Sequence, residues 1–216
     1  MLYSRLETTR LFLREWHESD LEDLFSYAAD PDVGPAAGWP PHPARSVSRE
    51  ILWQFMDKGE VWAIVDKKTH KVIGSLGLHP DRRRDNPNCR SIGYVLSKDF
   101  WGQGLMTEAV RQGMRYAFDT LRLDMLTVYH YPFNDRSRRV IEKCGFVREG
   151  VLRRSFSRYD GAVLDSVCYS LLREEYLKQI EDHLEQIVRL AEGCNLTRKD
   201  ITDMVAFAWE ERNDRH

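Results

Sequence analysis

No stretch of the 216-residue chain approaches the roughly 20 consecutive apolar residues that a membrane-spanning helix needs. Neither sign of charge dominates: 32 Lys and Arg stand against 34 Asp and Glu, a formal net charge of -2. No whole-molecule field therefore draws the protein to nucleic acid or to a membrane. Cysteine is scarce and dispersed. Cys89, Cys144, Cys168 and Cys194 form no C-x-x-C pair and have no His-x-x-x-His nearby, which argues against a zinc site or a disulfide framework and suits a reducing cytoplasm. The Walker pattern G-x-x-x-x-G-K-[ST] and the dinucleotide pattern G-x-G-x-x-G are both missing, which argues against a nucleotide triphosphatase and a dinucleotide fold. There is no internal repeat and no low-complexity segment. The opening "MLYSRLETTRLFLREW" alternates and is charged throughout, so it reads as a strand rather than a signal peptide.

What is present describes a soluble, cytoplasmic protein, 42% hydrophobic and 31% charged. The length allows one sizeable domain with an appendage, or two very small domains. Residues 5–16 read as a first strand. "ESDLEDLFSYAAD" reads as a helix capped by Ser19 or Asp20 and ended before Pro31. The stretch "PDVGPAAGWPPHPARS" is too rich in Pro and Gly for a regular element, and a second helix runs from about Val47 to Lys58. "EVWAIVD" and "KVIGSLGLHP" form a hairpin, and "CRSIGYVLS" is a fourth strand reached through the polar loop "DRRRDNPN". A helix from about Leu105 to Thr120 crosses to the strand "LDMLTVYHY". The helix "NDRSRRVIEKCGF" and two final strands close the domain. The expected fold class is α/β, with a mixed, mostly antiparallel sheet over residues 1–172.

Residues 173–216 differ. Tyr176, Ile180, Leu184, Ile187, Val188 and Ala191 form one apolar stripe, with Gly193 expected to end the helix. Thr197 and Asp200 resemble a capping box ahead of a second stripe, Ile201, Met204, Val205, Ala208 and Trp209. This C-terminal helical hairpin either packs on its own domain or forms a homodimer surface, and two stripes on one hairpin exceed what self-packing needs.

In "DFWGQGLMTEAV" two glycines stand where an apolar strand stops and a helix begins. The first N–H groups of a helix lack internal partners and carry its positive dipole end, and glycine lets an anion approach them. Alone, the motif fits an ordinary tight turn equally well. Joined to "NDRSRRVIEKCGF" downstream, "IGYVLSKDFWGQGLMTEAV" resembles the GNAT superfamily of acetyl-CoA-dependent N-acetyltransferases, and within it the branch that acetylates ribosomal-protein N-termini. The resemblance covers roughly residues 5–172.

The resemblance implies a GNAT fold whose fourth and fifth strands splay to admit acetyl-CoA. The backbone of Val95 and Leu96 would pair with the pantetheine arm, and an N–H near Leu96 would polarise the thioester carbonyl. The N–H groups of Gly102, Gln103, Gly104, Leu105, Met106 and Thr107 would hold the pyrophosphate, with Asn134 on the pantetheine. The chain departs from the pattern at Trp101, where Arg or Gln is usual, and at Met106, where Gly or Ala is usual. Where many GNAT enzymes carry a tyrosine that protonates the leaving thiolate, this chain has Ile141. Ser137, one turn after Asn134, either takes that role or merely packs or caps. Related sequences carry an acid where this chain has Ser91. His79 is then either the base or an exposed histidine at the strand's edge, and positioning without a dedicated base is a further alternative. Tyr129, His130 and Tyr131 read as a wall.

On the acceptor side, "VGPAAGWPPHP" presents Trp39 and His42, either over the acceptor site or as a plain surface loop. The runs "DRRRD" and "RRSFSR" read as solvated charge; were they functional, they would favour an acidic peptide or a phosphate-rich neighbour. Asp165 is either structural or acceptor-orienting. The function implied is acetyl transfer to a primary amine, a ribosomal or other protein N-terminus or a small molecule, without metal. The competing reading is an acetyl-CoA-binding regulatory module that signals through its C-terminal helices.

Overall fold

The computed structural model describes residues 4–213, leaving outside it the side chains of Trp209 and residues 211–213. It divides into two compact units that meet in sequence between Arg173 and Glu174.

The first unit begins with a hairpin, β1 (Leu6–Glu7) and β2 (Leu11–Arg14), rather than one strand. Thr8 makes the turn: its backbone N–H donates to Leu11 O at 2.9 Å and its hydroxyl accepts from Leu11 N–H at 3.0 Å. Leu6, Leu11 and Leu13 are all buried, and the buried positions pass from even numbers (Leu6, Thr8) to odd ones (Leu11, Leu13) across the turn, a change of parity that marks the reversal. Next come α1 (Leu21–Ala28), α2 (Gly34–Ala37) and α3 (Arg45–Lys58). The Pro- and Gly-rich stretch thus holds a one-turn helix after all. Pro35 presets its first turn and Gly38, at φ 94°, ends it.

The strands β3 (Val61–Asp66), β4 (Val72–Pro80) and β5 (Cys89–Leu96) follow, then α4 (Leu105–Arg115), which runs on as a π-helical turn to Thr120. The unit closes with β6 (Met125–His130), α5 (Asp135–Lys143), β7 (Val147–Ser157) and β8 (Val163–Leu172). The sheet has eight strands in the order β1-β2-β3-β4-β5-β6-β8-β7.

Helices cover both faces. Leu105, Met106, Ala109, Val110, Gly113 and Met114 recur at helical spacing and bury one side of α4. Gly113 lets α4 lie close: a Cβ there would stand 3.0 Å from Leu76 Cδ2. On the other face Trp16, Leu24, Tyr27, Ala28 and Leu52 pack with Ala63 and Val65 of β3. β4 is buried from Val72 through Leu78, as a central strand covered on both sides must be. Each fully buried Leu here contributes roughly 1.5–3 kcal/mol of transfer free energy.

One joint in this sheet is incomplete. β5 and β6 run parallel and pair only as Cys89–Met125, Arg90–Leu126 and Ser91–Thr127. β5 continues to Leu96 and β6 to His130, so the strands part beyond Ser91 and Thr127.

The second unit is a helical pair, α6 (Arg173–Gly193) and α7 (Arg198–Asn213). The left-handed residue after α6 is Asn195, at φ 57°, and not the expected Gly193; asparagine tolerates that conformation. Thr197 and Asp200 form the reciprocal cap: the Thr197 N–H and hydroxyl each donate to Asp200 Oδ2 at 2.7 Å, and the Asp200 N–H donates back at 3.3 Å. Leu184, Ile187, Val188, Met204 and Val205 are all exposed. Trp209, read as part of the second stripe, lies outside the described side chains.

Candidate functional site

Where β5 and β6 diverge, a cleft of about 1330 Å³ opens. Val95, Leu96, Gly102, Gly104, Leu105, Met106, Thr107, Asn134 and Ser137 line it, and so does His79. Every candidate except Gln103 is thus brought to one cavity.

Gly102 (φ 76°) and Gly104 (φ 78°) both take the left-handed conformation, and Gly104 is the N-cap of α4. A Cβ at Gly102 would meet nothing within 4 Å, and one at Gly104 only Arg10 Nη2 at 3.7 Å. Backbone shape and open approach, not crowding, call for glycine here. No side chain caps α4, so its first N–H groups remain for an anion.

The loop is braced from behind. Arg10 Nη1 donates to Gln103 O at 3.0 Å, and Arg10 Nε to Glu108 Oε2 at 2.7 Å. Glu108 Oε1 also accepts from the Thr8 hydroxyl at 2.5 Å and the Arg10 N–H at 2.9 Å. Burial alone would raise the Glu108 pKa, but these donors hold it below the usual glutamate value. Trp101, a departure from the family pattern, is a second brace: its indole N–H donates to Leu96 O at 2.8 Å, under the Arg136 guanidinium 4.0 Å above the ring. Arg136, Arg139 and Lys143 of α5 line the same cleft.

Asn134 caps α5. Its Oδ1 accepts from the Ser137 N–H at 3.0 Å, and its Nδ2 donates to Ala36 O of α2 at 2.9 Å. Ser137 Oγ lies 2.9 Å from the hydroxyl of Tyr94 on β5. Burial raises the Tyr94 pKa far above the ordinary phenol value. Ile141 is buried, a packing residue.

His79 lies across the cleft with Nδ1 3.4 Å from Glu60 Oε2. Its ring folds back over Gly77, where a Cβ would stand 2.5 Å from Nε2. Trp39 lines the cleft with its ring tilted 5.2 Å from that of His42, whose Nδ1 is 2.8 Å from Ser48 Oγ and whose pKa burial lowers. Of the wall residues, buried His130 lies with Nδ1 2.8 Å from Tyr131 O. Asp165 accepts from the Arg154 N–H at 2.7 Å, holding that residue at φ 49° in a bulge of β7; this is a structural task.

The sequence reading missed Asp81. Inside a run taken as solvated charge, its carboxylate is buried, accepting from Thr127 Oγ1 at 2.7 Å, Tyr129 OH at 2.6 Å and the Arg83 N–H at 2.8 Å. Burial by itself would raise its pKa, yet these bonds and the Arg84 charge hold it below the usual aspartate value. The one available signal was its place directly after the strand "GLHP". No cluster that could hold a metal occurs among the described residues, and none of their helices is long and apolar enough to cross a membrane.

The site is thus a gap in an open α/β sheet beside a helix start that no side chain caps. Residues 10–147 match the family model described as "Acetyltransferase (GNAT) domain". The chain is 32% identical over 177 residues to the uncharacterized N-acetyltransferase p20 of Bacillus licheniformis, a match covering 79% of this chain and 97% of that protein. Its fold superposes on the ribosomal-protein-S5-alanine acetyltransferase of Vibrio fischeri with a TM-score of 0.65, at 22% identity over 80% of this chain and 98% of that one. It also superposes on the Microcin C7 self immunity acetyltransferase MccE, solved with acetyl-CoA and AMP, with a TM-score of 0.67 at 21% identity over 76% and 93%. The chain belongs to the GNAT family of acetyltransferases. It is an N-acetyltransferase, with acetyl-CoA as its cosubstrate.

Proposed function

We propose that the protein transfers acetyl from acetyl-CoA to a primary amine, on a protein N-terminus or a small molecule, in the cleft between β5 and β6. The observation that carries this reading is the parting of those strands beside the uncapped, glycine-led start of α4. In it the N–H groups from Gly102 to Thr107 hold the pyrophosphate, Gln103 contributing through its backbone alone. Arg136, over Trp101, adds positive charge at that end, and Arg139 and Lys143 add to the positive charge of the cleft. Val95 and Leu96 offer backbone groups to the pantetheine, and the second amide hydrogen of Asn134, beyond the one given to Ala36, reaches the same arm.

The neutral amine attacks the thioester carbonyl, the C–N bond forms as C–S breaks, and the thiolate takes up a proton. Ser137, hydrogen-bonded to Tyr94, is placed in the role of donor to the thiolate, and His79 beside Glu60 in the role of acceptor for the amine's proton. Asp81 is too well satisfied to serve as a base; it holds Tyr129. Bound acetyl-CoA supplies the activated carbonyl, while the chain's own groups orient and exclude water.

Relatives named N-acetyltransferases favour turnover over binding alone. The four free cysteines fit a cytoplasmic setting. The exposed apolar residues of α6 and α7 support a homodimer built through the tail. Free-thiol release with acetyl-CoA and a panel of amines and N-terminal peptides tests the central reading. Release above the acceptor-free background is expected; none, with acetyl-CoA bound, would remove it.

A further inference from the structure

The loop between β4 and β5 carries two arginines in very different states. Arg84 is neutralised, pairing with Asp81 at 3.5 Å and with Glu149. Arg83 is not. Its guanidinium lies 4.0 Å over the Tyr129 ring and its Nη2 donates to the uncharged Ser166 Oγ at 3.2 Å, in the lining of the cleft. The nearest acid in the run, Asp81, gives Arg83 only a bond from the backbone N–H and is otherwise committed to Thr127, Tyr129 and Arg84. The other cleft carboxylate, Glu60, faces His79.

We infer that the acceptor amine carries a carboxylate, and that Arg83 receives it. The inference rests on the reading of this cleft as the acetyl-transfer site. A guanidinium is a planar fork whose remaining N–H groups match a carboxylate in a bidentate pair, and stacking on Tyr129 fixes its plane. Ser166 accepts from both Arg83 and Ser155, whose hydroxyl lies 2.8 Å away, so its own proton is left for a further acceptor. Lys58 and Arg82 line the same cleft and add to its positive potential.

The acceptors that offer both an amine and a carboxylate within one small molecule or chain end are a peptide with Glu near its N-terminus and a free dicarboxylic amino acid.

The test compares matched acceptors with the full-length protein under saturating acetyl-CoA: Glu-Ala-Ala-Ala and Gln-Ala-Ala-Ala amides, Ala-Glu-Ala-Ala and Ala-Gln-Ala-Ala amides, and free glutamate and glutaminamide, which carries no carboxylate. The expected result is a preference of about tenfold or more in kcat/KM for at least one acidic member, carried by KM. Arg83→Gln should erase it while leaving the KM for acetyl-CoA unchanged, and Arg83→Lys should keep part of it. The pair that shows the effect tells peptide from free amino acid. Equal use of acidic and neutral members, or a preference that survives Arg83→Gln, overturns the inference and leaves the acetyl-transfer reading standing. If no member is acetylated, calorimetry of the acidic members against protein loaded with CoA decides. Binding that Arg83→Gln abolishes supports the subsite although the amine-transfer reading fails for these acceptors, and no binding overturns it.

Discussion

Ser137 Oγ and the Tyr94 hydroxyl lie 2.9 Å apart, joining the first turn of α5 to the strand that borders the gap. Ile141 cannot donate a proton, and in the function proposed above this pair supplies the hydroxyl that would meet the thiolate. Ser137→Ala should lower kcat by about 100-fold with the acetyl-CoA KM little changed, the loss expected of a general acid. Tyr94→Phe should cost roughly tenfold, since Ser137 keeps its proton but loses its partner. Steady-state kinetics on both variants checks this, and an unchanged kcat in Ser137→Ala would leave the serine a packing residue.

The brace behind the anion loop predicts a different signature. Arg10→Gln removes the donor to Gln103 O and the fork on Glu108. Because Arg10 is half exposed, about 1 kcal/mol is expected, a roughly fivefold rise in acetyl-CoA KM at constant kcat. Gly104→Val acts on the backbone itself. A β-branched residue at φ 78° is strained by about 1–2 kcal/mol or more, and the turn that leads into α4 must shift to relieve it, displacing the helix's first N–H groups. Calorimetry should find acetyl-CoA binding abolished, and undiminished affinity would contradict the anion-loop assignment.

Acid should destabilise the protein through Asp81 and Glu108. Both carboxylates have folded pKa values below their unfolded ones, so their contribution is complete above the ordinary carboxylate range and is lost as pH falls through the folded values. His42, also lowered, acts in the same direction in a higher window: below about pH 6.5 the unfolded chain takes up the proton first. Tm measured from about pH 7 down to 3 should fall in both windows. Asp81→Asn should flatten the lower one while reducing Tm near neutrality.

For the tail, Leu184→Glu and Ile187→Glu place charge on exposed apolar positions of α6. Sedimentation should show a lower mass for the double variant if those positions join two copies, with the first unit's Tm unchanged. An unaltered mass would exclude the dimer.

The residues most legible in the sequence are those whose role is local. Gly102, Gly104 and the first turn of α4 follow one another in the chain, and Asn134 caps the helix that its own neighbours build. What stayed hidden depends on distant partners. Asp81 looked like one more charge in "DRRRD", because nothing near it in sequence reveals Thr127 and Tyr129 closing over it. Tyr94 and Ser137 meet only once β5 and α5 are in place. The hairpin at Thr8 was legible and passed over: the apolar positions shift from even at Leu6 to odd at Leu11 and Leu13, a break in parity that one continuous strand would not show. Pro35 and Gly38, which ordinarily signal irregular chain, here start and stop one short helix turn.

The three rungs between β5 and β6 leave the eight-stranded sheet as two panels stitched along a short seam. In the function proposed above, a cosubstrate lying against Val95 and Leu96 would supply rungs that the polypeptide omits. Occupancy then matters mechanically as well as chemically. On that proposal the loaded protein would gain a splint between its panels, and each release of product would reopen the joint on which the next round depends.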